Sequence, residues 1–194
     1  SGRMTVEPSK NFRLELNATK NFALNHQEYF RANSSGEIHS YSPTESGNYT
    51  VSWLSYKTSF VKNNADYSNA TFDQFDKNRA IFAQRLGGTR YGLTQQDVLT
   101  YSFLAAYSGS DANTFKIDQF PQIPRPNWRI TYDGLGKMKW AQKYVSQVNL
   151  NHSYKSTFSI NSFMQNLAWA ESAGTAIDVN GNAIPQYDIQ QVSI

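Results

Sequence analysis

Residues 12–24 read FRLELNATKNFAL, and apolar side chains alternate with polar ones along this stretch. A period of two is that of a β-strand rather than of a helix. At about 3.3 Å per residue such a strand is about 40 Å long, enough to cross a bilayer even when tilted. The even positions carry the apolar set, which is Phe12, Leu14, Leu16, Phe22 and Leu24. The odd positions include the polar set Arg13, Glu15 and Asn17.

The same alternation returns late in the chain, over residues 145–163. Its even positions carry Val148, Leu150, Tyr154, Phe158 and Ile160. Its odd positions include Asn149, Asn151, Lys155 and Asn161. An apolar face opposite a polar one is the pattern that a strand needs between lipid and a water-filled lumen. It also suits one long strand of a soluble β-sandwich, so both interpretations stand at this point.

The residue pattern divides the whole chain into three predicted regions. We expect strands over 1–60 with a long loop at about 31–47, and a phase change near Trp53 that indicates a β-bulge. Over 61–126 we expect a helical insertion, whose two helices begin near Thr71 and near Thr94 and end at glycines. The insertion ends in an extended, proline-rich strap, and strands resume over 127–194 with a loop at about 164–184.

Composition excludes several classes of chemistry. The 194 residues include no cysteine, so disulfides, thiolate metal sites and a cysteine nucleophile are impossible. The mean hydropathy is −0.60, and no apolar run approaches the roughly 18 residues of a membrane helix. A net charge of +3, spread along the chain, argues against nucleic acid as a partner. The three histidines are far apart and no catalytic motif is present, so we expect no enzymatic activity, no metal and no cofactor.

One turn combines basic and aromatic residues. Lys137, Lys139 and Lys143 alternate with Trp140 and Tyr144 between two predicted strands. A solvated loop accounts for this composition. So does a turn at a membrane interface, where Trp and Tyr lie at headgroup depth and Lys reaches water. The sequence leaves both possibilities open.

Two stretches carry a resemblance to a known family. Residues 120–135 read FPQIPRPNWRITYDGL, and residues 148–160 read VNLNHSYKSTFSI. They closely resemble the SprA/Sov family, the giant outer-membrane β-barrel translocons of the type IX secretion system in Bacteroidota. Arg125 lies between two prolines where the family more often has an aliphatic residue. The family-motif residues here are Pro121, Pro124, Pro126, Asn127, Trp128, Tyr132, Asp133, Gly134 and Leu135.

The resemblance implies a very large antiparallel transmembrane β-barrel in the cell outer membrane, of which this chain is a fragment. About five strands are too few to close a barrel with a lumen. Such a barrel is a protein-conducting channel that exports folded cargo with C-terminal signal domains and supports gliding motility in motile members. Its partners are a shuttle β-barrel and a plug protein at a lateral opening, outer-membrane lipid, and the rest of the parent barrel.

On this view the apolar sets of 12–24 and 148–160 face lipid or neighbouring barrel wall, and the polar sets face the lumen. The helical insertion is expected to cap or line one mouth of the barrel. Two other classes remain open. One is another outer-membrane barrel or surface adhesin of the same phylum, and the other is a soluble carbohydrate-binding or hydrolytic β-sandwich.

Overall fold

The computed structural model describes residues 1–145 and 147–194. Within these ranges it contains eight strands, all paired antiparallel, and three α-helices. In chain order the elements are β1 (Gly2–Ser9), β2 (Phe12–Ala18), β3 (Lys20–Ala32), β4 (Ile38–Ser52), α1 (Ala70–Leu86), α2 (Gln96–Ser108), β5 (Asn127–Tyr132), β6 (Leu150–Tyr154), β7 (Thr157–Gln165), α3 (Leu167–Glu171) and β8 (Tyr187–Ser193). The prediction of a mainly β chain with a helical insertion is confirmed, and it has more strands than expected.

The strands form two four-stranded sheets. The first sheet has the order β1-β2-β5-β6, and the second has the order β3-β4-β7-β8. The strand predicted over 12–24 is therefore divided between the two sheets, with Thr19 as the single residue between β2 and β3. The backbone N–H of Ser52 donates to the Thr19 carbonyl oxygen at 2.8 Å, so the hydrogen bonding of the second sheet reaches this junction.

β4 and β5 occupy equivalent places in the two sheets. β4 pairs with β3 and β7, whereas β5 pairs with β2 and β6, which are the neighbouring segments along the chain. The N–H of Arg125, just before β5, donates to the carbonyl oxygen of Ser52, the last residue of β4, at 2.9 Å. β4 and β5 are thus two halves of one interrupted strand, and residues 53–126, called the insertion from here on, leave and return at the interruption.

This arrangement bears on two expectations. The insertion leaves from an interruption within a strand rather than from the end of a long strand, and its placement at one mouth of a barrel stays a prediction. The phase change near Trp53 is not a bulge, because the chain leaves the sheet there and the Trp53 N–H donates to Ser156 at 3.0 Å. The register shift within β4 lies earlier, between Gly47 and Tyr49.

The region predicted as a loop over 31–47 is a β-hairpin. β3 continues to Ala32 and β4 begins at Ile38, so the turn itself is short. The Asn33 side chain closes it by accepting backbone N–H groups from Ser35 and Glu37, both at 2.9 Å. Both faces of this hairpin are exposed, so its sequence shows no alternation and resembles a loop.

The later strands also differ in their limits. The run from 145 to 163 contains β6 and β7 with Lys155 and Ser156 between them, and Val148 and Asn149 precede β6 rather than belonging to it. The loop predicted at 164–184 begins two residues later, after β7 ends at Gln165, and it contains the short helix α3.

The two helices of the insertion pack on each other through a core of their own. α1 is capped by Asn69, whose side chain accepts the N–H of Phe72, rather than by Thr71 as predicted. α2 ends at Gly109 in the left-handed region, as predicted. The buried residues that join the helices are Phe82, Ala83, Val98, Tyr101, Ala105 and Ala112.

A second core joins the insertion to the second sheet. Leu104 of α2 lies in one cluster with buried side chains of β4 and β7. The strap supplies Phe120, whose ring centroid is 5.0 Å from that of Phe163. The buried sheet residues in this cluster are Tyr49, Val51, Phe158, Ile160 and Phe163.

Candidate functional site

The first sheet separates apolar from polar side chains onto two faces. Cross-strand partners share a face, and β2 pairs Leu14 with Ile130 and Leu16 with Trp128 of β5. On the other face Glu15 lies opposite Arg129. The even and odd positions of β2 therefore lie on opposite faces of the first sheet.

The polar face of the first sheet contains charges of both signs. The Arg13 guanidinium is 2.9 Å from the Glu15 carboxylate, and Arg3 approaches the same carboxylate at 3.7 Å. Asn151 accepts a hydrogen bond from the Thr131 hydroxyl at 3.2 Å. The face is hydrophilic without a strong field of one sign.

Four of the residues predicted to face the lumen lie together on this face: Arg13, Glu15, Asn17 and Asn151. The other three do not join them. Asn149 precedes β6, and Lys155 is exposed between β6 and β7. Asn161 is in the second sheet, where its side chain donates to Gln191 at 2.9 Å.

The apolar residues of the two sheets meet different surroundings. In the first sheet Phe12, Leu14 and Leu16 remain partly accessible, and Leu150 is 51% exposed. In the second sheet Phe158 and Ile160 are fully buried. The prediction that these last two face lipid or a neighbouring section of wall is wrong, because the insertion covers them.

Two more apolar residues of the second sheet lie at the margin of this cover. Phe22 stacks on Phe163 with ring centroids 5.9 Å apart and also contacts Phe120 of the strap, yet it stays nearly half exposed. Leu24, two residues further along β3, lies opposite Gly47 and is exposed to a similar degree. The insertion therefore covers the second sheet near Thr19 but does not reach the tip of the β3–β4 hairpin.

The strap (residues 120–126) holds the insertion against the second sheet. Its Phe120 ring lies 5.3 Å from the Tyr49 ring and 5.6 Å from the Tyr187 ring. The Tyr49 hydroxyl donates to the carbonyl oxygen of Pro121. Prolines at 121, 124 and 126 keep the strap extended, since each fixes its backbone φ and lacks an N–H group.

Asn127 and Trp128 mark the point where the chain re-enters the first sheet. The Asn127 side chain accepts the backbone N–H of Ser156 at 2.9 Å, which joins the end of the strap to the link between β6 and β7. The Trp128 ring stacks on Tyr154 with centroids 4.4 Å apart. Tyr56 of the insertion packs against both rings, at 5.7 and 5.6 Å. The insertion thus also contacts the apolar face of the first sheet.

The remaining motif residues build the turn after β5. Gly134 is buried, and a Cβ atom there would lie 2.5 to 2.7 Å from the hydroxyl and ring of Tyr132, so a glycine fits best. The Asp133 N–H donates to Asn11 at 3.0 Å, and its carboxylate is 3.8 Å from Lys137. Leu135 starts a short 3-10 turn. These residues have structural roles in the described geometry.

A cavity of about 1050 Å³ lies between the strap and the start of the insertion. Aromatic side chains from three parts of the chain line it: Trp53 and Tyr56, Phe115, and Trp128. Cationic side chains are also present, including Lys57 and Arg125. Sequence reasoning missed this cavity, because 53–60 was interpreted as strand and the strap lies more than 60 residues away along the chain. Arg125, a basic residue between two prolines, is the one local signal in the sequence.

Electrostatics within the insertion centre on the first turn of α2. Burial raises the pKa of the Asp97 carboxyl to about 6. Burial also raises the pKa of Tyr101, one turn later, and the Asp97 carboxylate adds to that effect. At the edge of the second sheet, the Gln96 side chain donates to the Tyr187 carbonyl and accepts the Ile189 N–H, both at 2.7 Å.

Neither metal chemistry nor a helical membrane span is indicated. In residues 1–145 and 147–194 no group of three or more His, Cys, Asp or Glu side chains is arranged to hold a metal ion. Over the same residues, no helix combines the length and the apolar character needed to cross a membrane.

Comparison with known proteins adds no further constraint. No protein-family model matches the chain, and no curated protein matches it either.

Proposed function

We propose that this chain is a section of the wall of a giant outer-membrane β-barrel of the SprA/Sov kind. Such a barrel is the protein-conducting channel of the type IX secretion system and has no enzymatic activity. The observation that carries the proposal is the division of the first sheet into an accessible apolar face and a charge-balanced polar face. A lipid-exposed wall with a wet lumen needs this division.

The length of the strands supports this assignment. β2 has seven residues, which span about 23 Å at about 3.3 Å per residue, and β3 follows it after Thr19 with 13 more. Together they are long enough to cross the apolar band of outer-membrane barrels, which is about 25 Å tall, even when tilted by about 45°. On this proposal, lipid contacts the apolar face of the first sheet, including Leu14 and Leu150, and the second sheet continues beyond the membrane.

The turn between β5 and β6 lies at the end of the first sheet opposite the insertion. Its Trp140 is 66% exposed and its Tyr144 is 81% exposed, with Lys137, Lys139 and Lys143 around them. Exposed aromatic rings beside lysines are typical of a membrane–water interface. We therefore favour the interface over the solvated loop for this turn, with the opposite boundary of the membrane at the insertion.

Unpaired strand edges also support a larger sheet. Among the described residues, β3 pairs only with β4 over its 13 residues, and β6 pairs only with β5. A long exposed edge invites pairing with another strand, and a closed barrel removes such edges. Neighbouring strands of the parent barrel would occupy both edges.

Under this proposal the partners follow from the family. Folded cargo with a C-terminal signal domain would pass the polar face, which hydrates the wall without attracting one sign of charge. A shuttle barrel and a plug protein would act at the lateral opening of the parent protein. In motile members the same channel would support gliding.

The β-sandwich alternative has less support. A sandwich packs the apolar faces of two sheets against each other. Here the cluster on the second sheet is completed by Leu104, Phe115 and Phe120 of the insertion, and among the described residues it includes none from the first sheet. An adhesin or another outer-membrane barrel would share this geometry, and the sequence motifs are what favour a translocon.

Cysteine labelling in the outer membrane tests the proposal. The chain has no native cysteine, so single substitutions in the full-length protein report on defined positions of this section. Leu14→Cys and Leu150→Cys should react with a lipid-soluble maleimide. Glu15→Cys and Asn151→Cys should react with a membrane-impermeant, water-soluble one added to opened cells.

Phe158→Cys provides the matched control, because its position is on a strand but beneath the insertion and should react with neither reagent in the folded protein. The reverse pattern at positions 14 and 15 would contradict the proposal. So would expression of residues 1–194 as a water-soluble monomer with a cooperative thermal transition.

A further inference from the structure

The cavity between the strap and the start of the insertion is not explained by a wall that only conducts proteins. We infer that it binds one anionic amphiphile, a lipid whose acyl chain lies against the aromatic side chains and whose charged headgroup meets Lys57 and Arg125. This inference rests on the proposed membrane location and adds a ligand to it.

The size and lining of the cavity fit such a ligand. Its volume of about 1050 Å³ is at the upper end of the roughly 300 to 1,000 Å³ of small-molecule pockets. Trp53 and Trp128 contribute indole rings, Tyr56 contributes a phenol ring, and Ile123 and Pro124 contribute aliphatic surface from the strap. A half-open cavity with this much apolar surface suits a hydrocarbon chain better than a free inorganic anion.

The charges beside this apolar lining are mainly positive. Lys116 is neutralised by Asp118 at 3.1 Å. In residues 1–145 and 147–194, neither Lys57 nor Arg125 has a carboxylate within 4.0 Å. Within the part of the chain that the structure describes, the Gly109 carbonyl oxygen, at 3.3 Å, is the only hydrogen-bond partner of the Lys57 ammonium. The Arg125 guanidinium lies 5.8 Å from the centre of the Trp53 ring. Two cations at an apolar cavity complement a single anionic headgroup.

The cavity also borders the surface that would contact lipid. Trp128 lines the cavity and belongs to β5 of the first sheet, where it stacks on Tyr154. Leu16 is its cross-strand partner on the same apolar face. The apolar face thus continues through Trp128 into the cavity, at the level where the insertion begins. A lipid from the adjacent leaflet could occupy the cavity without leaving the membrane boundary.

Photo-crosslinking on the purified full-length protein in an uncharged detergent tests this inference. The probes are phosphatidylglycerol and phosphatidylcholine that carry the same diazirine in one acyl chain. Phosphatidylglycerol should label peptides from 53–60 and 121–128 several-fold more than phosphatidylcholine does. Lys57→Gln and Arg125→Gln should each lower that labelling by about five-fold, as expected for one basic residue at an anionic lipid.

Lys77→Gln and Arg90→Gln are the matched controls, because they remove exposed cations of the insertion that lie outside the cavity, and they should leave the labelling unchanged. Equal labelling by the two lipids, or labelling that is insensitive to positions 57 and 125, overturns the inference. Loss of the labelling in millimolar inorganic phosphate also overturns it, in favour of a simple anion site. Replacement of the lipid by a peptide that ends in a free carboxylate overturns it in favour of a protein segment.

The outcomes separate this inference from the proposed function. Labelling of the first sheet at Leu14 and Leu150 without labelling of the cavity leaves the wall assignment standing and rejects the lipid site. Labelling of neither region rejects both.

Discussion

The two sheets of this protein present the same kind of apolar face to different surroundings. In the second sheet Phe158 and Ile160 are completely buried beneath the insertion, whereas in the first sheet Leu150 keeps half of its surface accessible. Both faces come from strands with the same alternation of apolar and polar residues. The difference teaches that alternation defines a face, and that a separate part of the chain decides what the face contacts.

The insertion covers the second sheet more completely than the first. It leaves and returns at the junction between the sheets, yet its strongest contacts are with the second sheet, through Leu104 and Phe120. Gln96 adds two hydrogen bonds to the backbone of β8. On the first sheet its aromatic contacts are made by Tyr56, with Trp128 and Tyr154. The insertion thus covers one apolar face and leaves most of the other for a different partner.

Truncation of a covered side chain should have the largest effect. Phe158→Ala removes a fully buried ring from contact with Tyr49 and Trp53, and we expect a loss of about 3 to 5 kcal/mol in the free energy of unfolding. Urea titration of the full-length protein in detergent micelles measures this loss.

Phe30→Ala is the matched control for that truncation. Phe30 is 66% exposed near the tip of the β3–β4 hairpin, so the same change should alter stability by about 0.5 kcal/mol or less. Equal losses for the two variants would show that the insertion does not distinguish the covered face from exposed parts of the same sheet.

Replacing a glycine by alanine should also destabilise the second sheet more than the first, but the difference in the free energy of unfolding is smaller than for the truncation of Phe158. A Cβ at Gly47 in β4 would lie 2.0 Å from the backbone oxygen of Ala23, which cannot move without breaking the β3–β4 pairing. At Gly134, after the first sheet, the obstacle is the far end of the Tyr132 side chain rather than backbone. We expect Gly47→Ala to cost about 2 to 3 kcal/mol and Gly134→Ala about 1 kcal/mol, measured by the same titration. A larger cost at Gly134 would contradict this ranking.

The last expected effect is on the stability of the insertion, and it depends on pH. The folded pKa of Asp97 is about 6, above its ordinary 3.8, so the folded state favours the protonated acid. The protonated Asp97 therefore contributes fully to the free energy of unfolding below about pH 4, and this contribution is lost as the pH rises through 6. Allowing for partial exposure, we expect Asp97→Asn to exceed the wild type by about 1 to 2 kcal/mol at pH 7.5 and to match it near pH 4.

The control for that variant is Asp73→Asn, which removes the exposed first-turn acid of α1. Chemical denaturation at pH 4.5, 6 and 7.5, monitored by circular dichroism, gives the stability of each variant. A constant difference between the wild type and Asp97→Asn at all three pH values would reject the buried-acid interpretation.

Much of the local structure was predictable. Period-two alternation placed Phe12, Leu14 and Leu16 opposite Arg13, Glu15 and Asn17, since neighbouring side chains of a strand must point to opposite faces. Glycines at 87 and 109 ended the two predicted helices, because the left-handed and related conformations at helix ends favour glycine.

Other features left no local trace. The hairpin over 31–47 resembled a loop because strands that are exposed on both faces need no apolar alternation. The division at Thr19 was hidden because the alternation of 12–24 continues across the junction. The cavity combines Tyr56 and Lys57 with Arg125 and Trp128, and no short-range pattern connects residues so far apart.

The sequence by itself determined the strands with alternating side chains, their two unlike faces and the two helices of the insertion, because side-chain periodicity and end-capping act over a few residues. Only the tertiary structure decided that β4 and β5 share one interrupted strand, that the insertion buries Phe158 and Ile160, and that the first sheet keeps an accessible apolar face. The physical reason is that burial depends on contacts such as that of Tyr49 with Phe120, between residues far apart along the chain. Such contacts form only when the whole chain has folded.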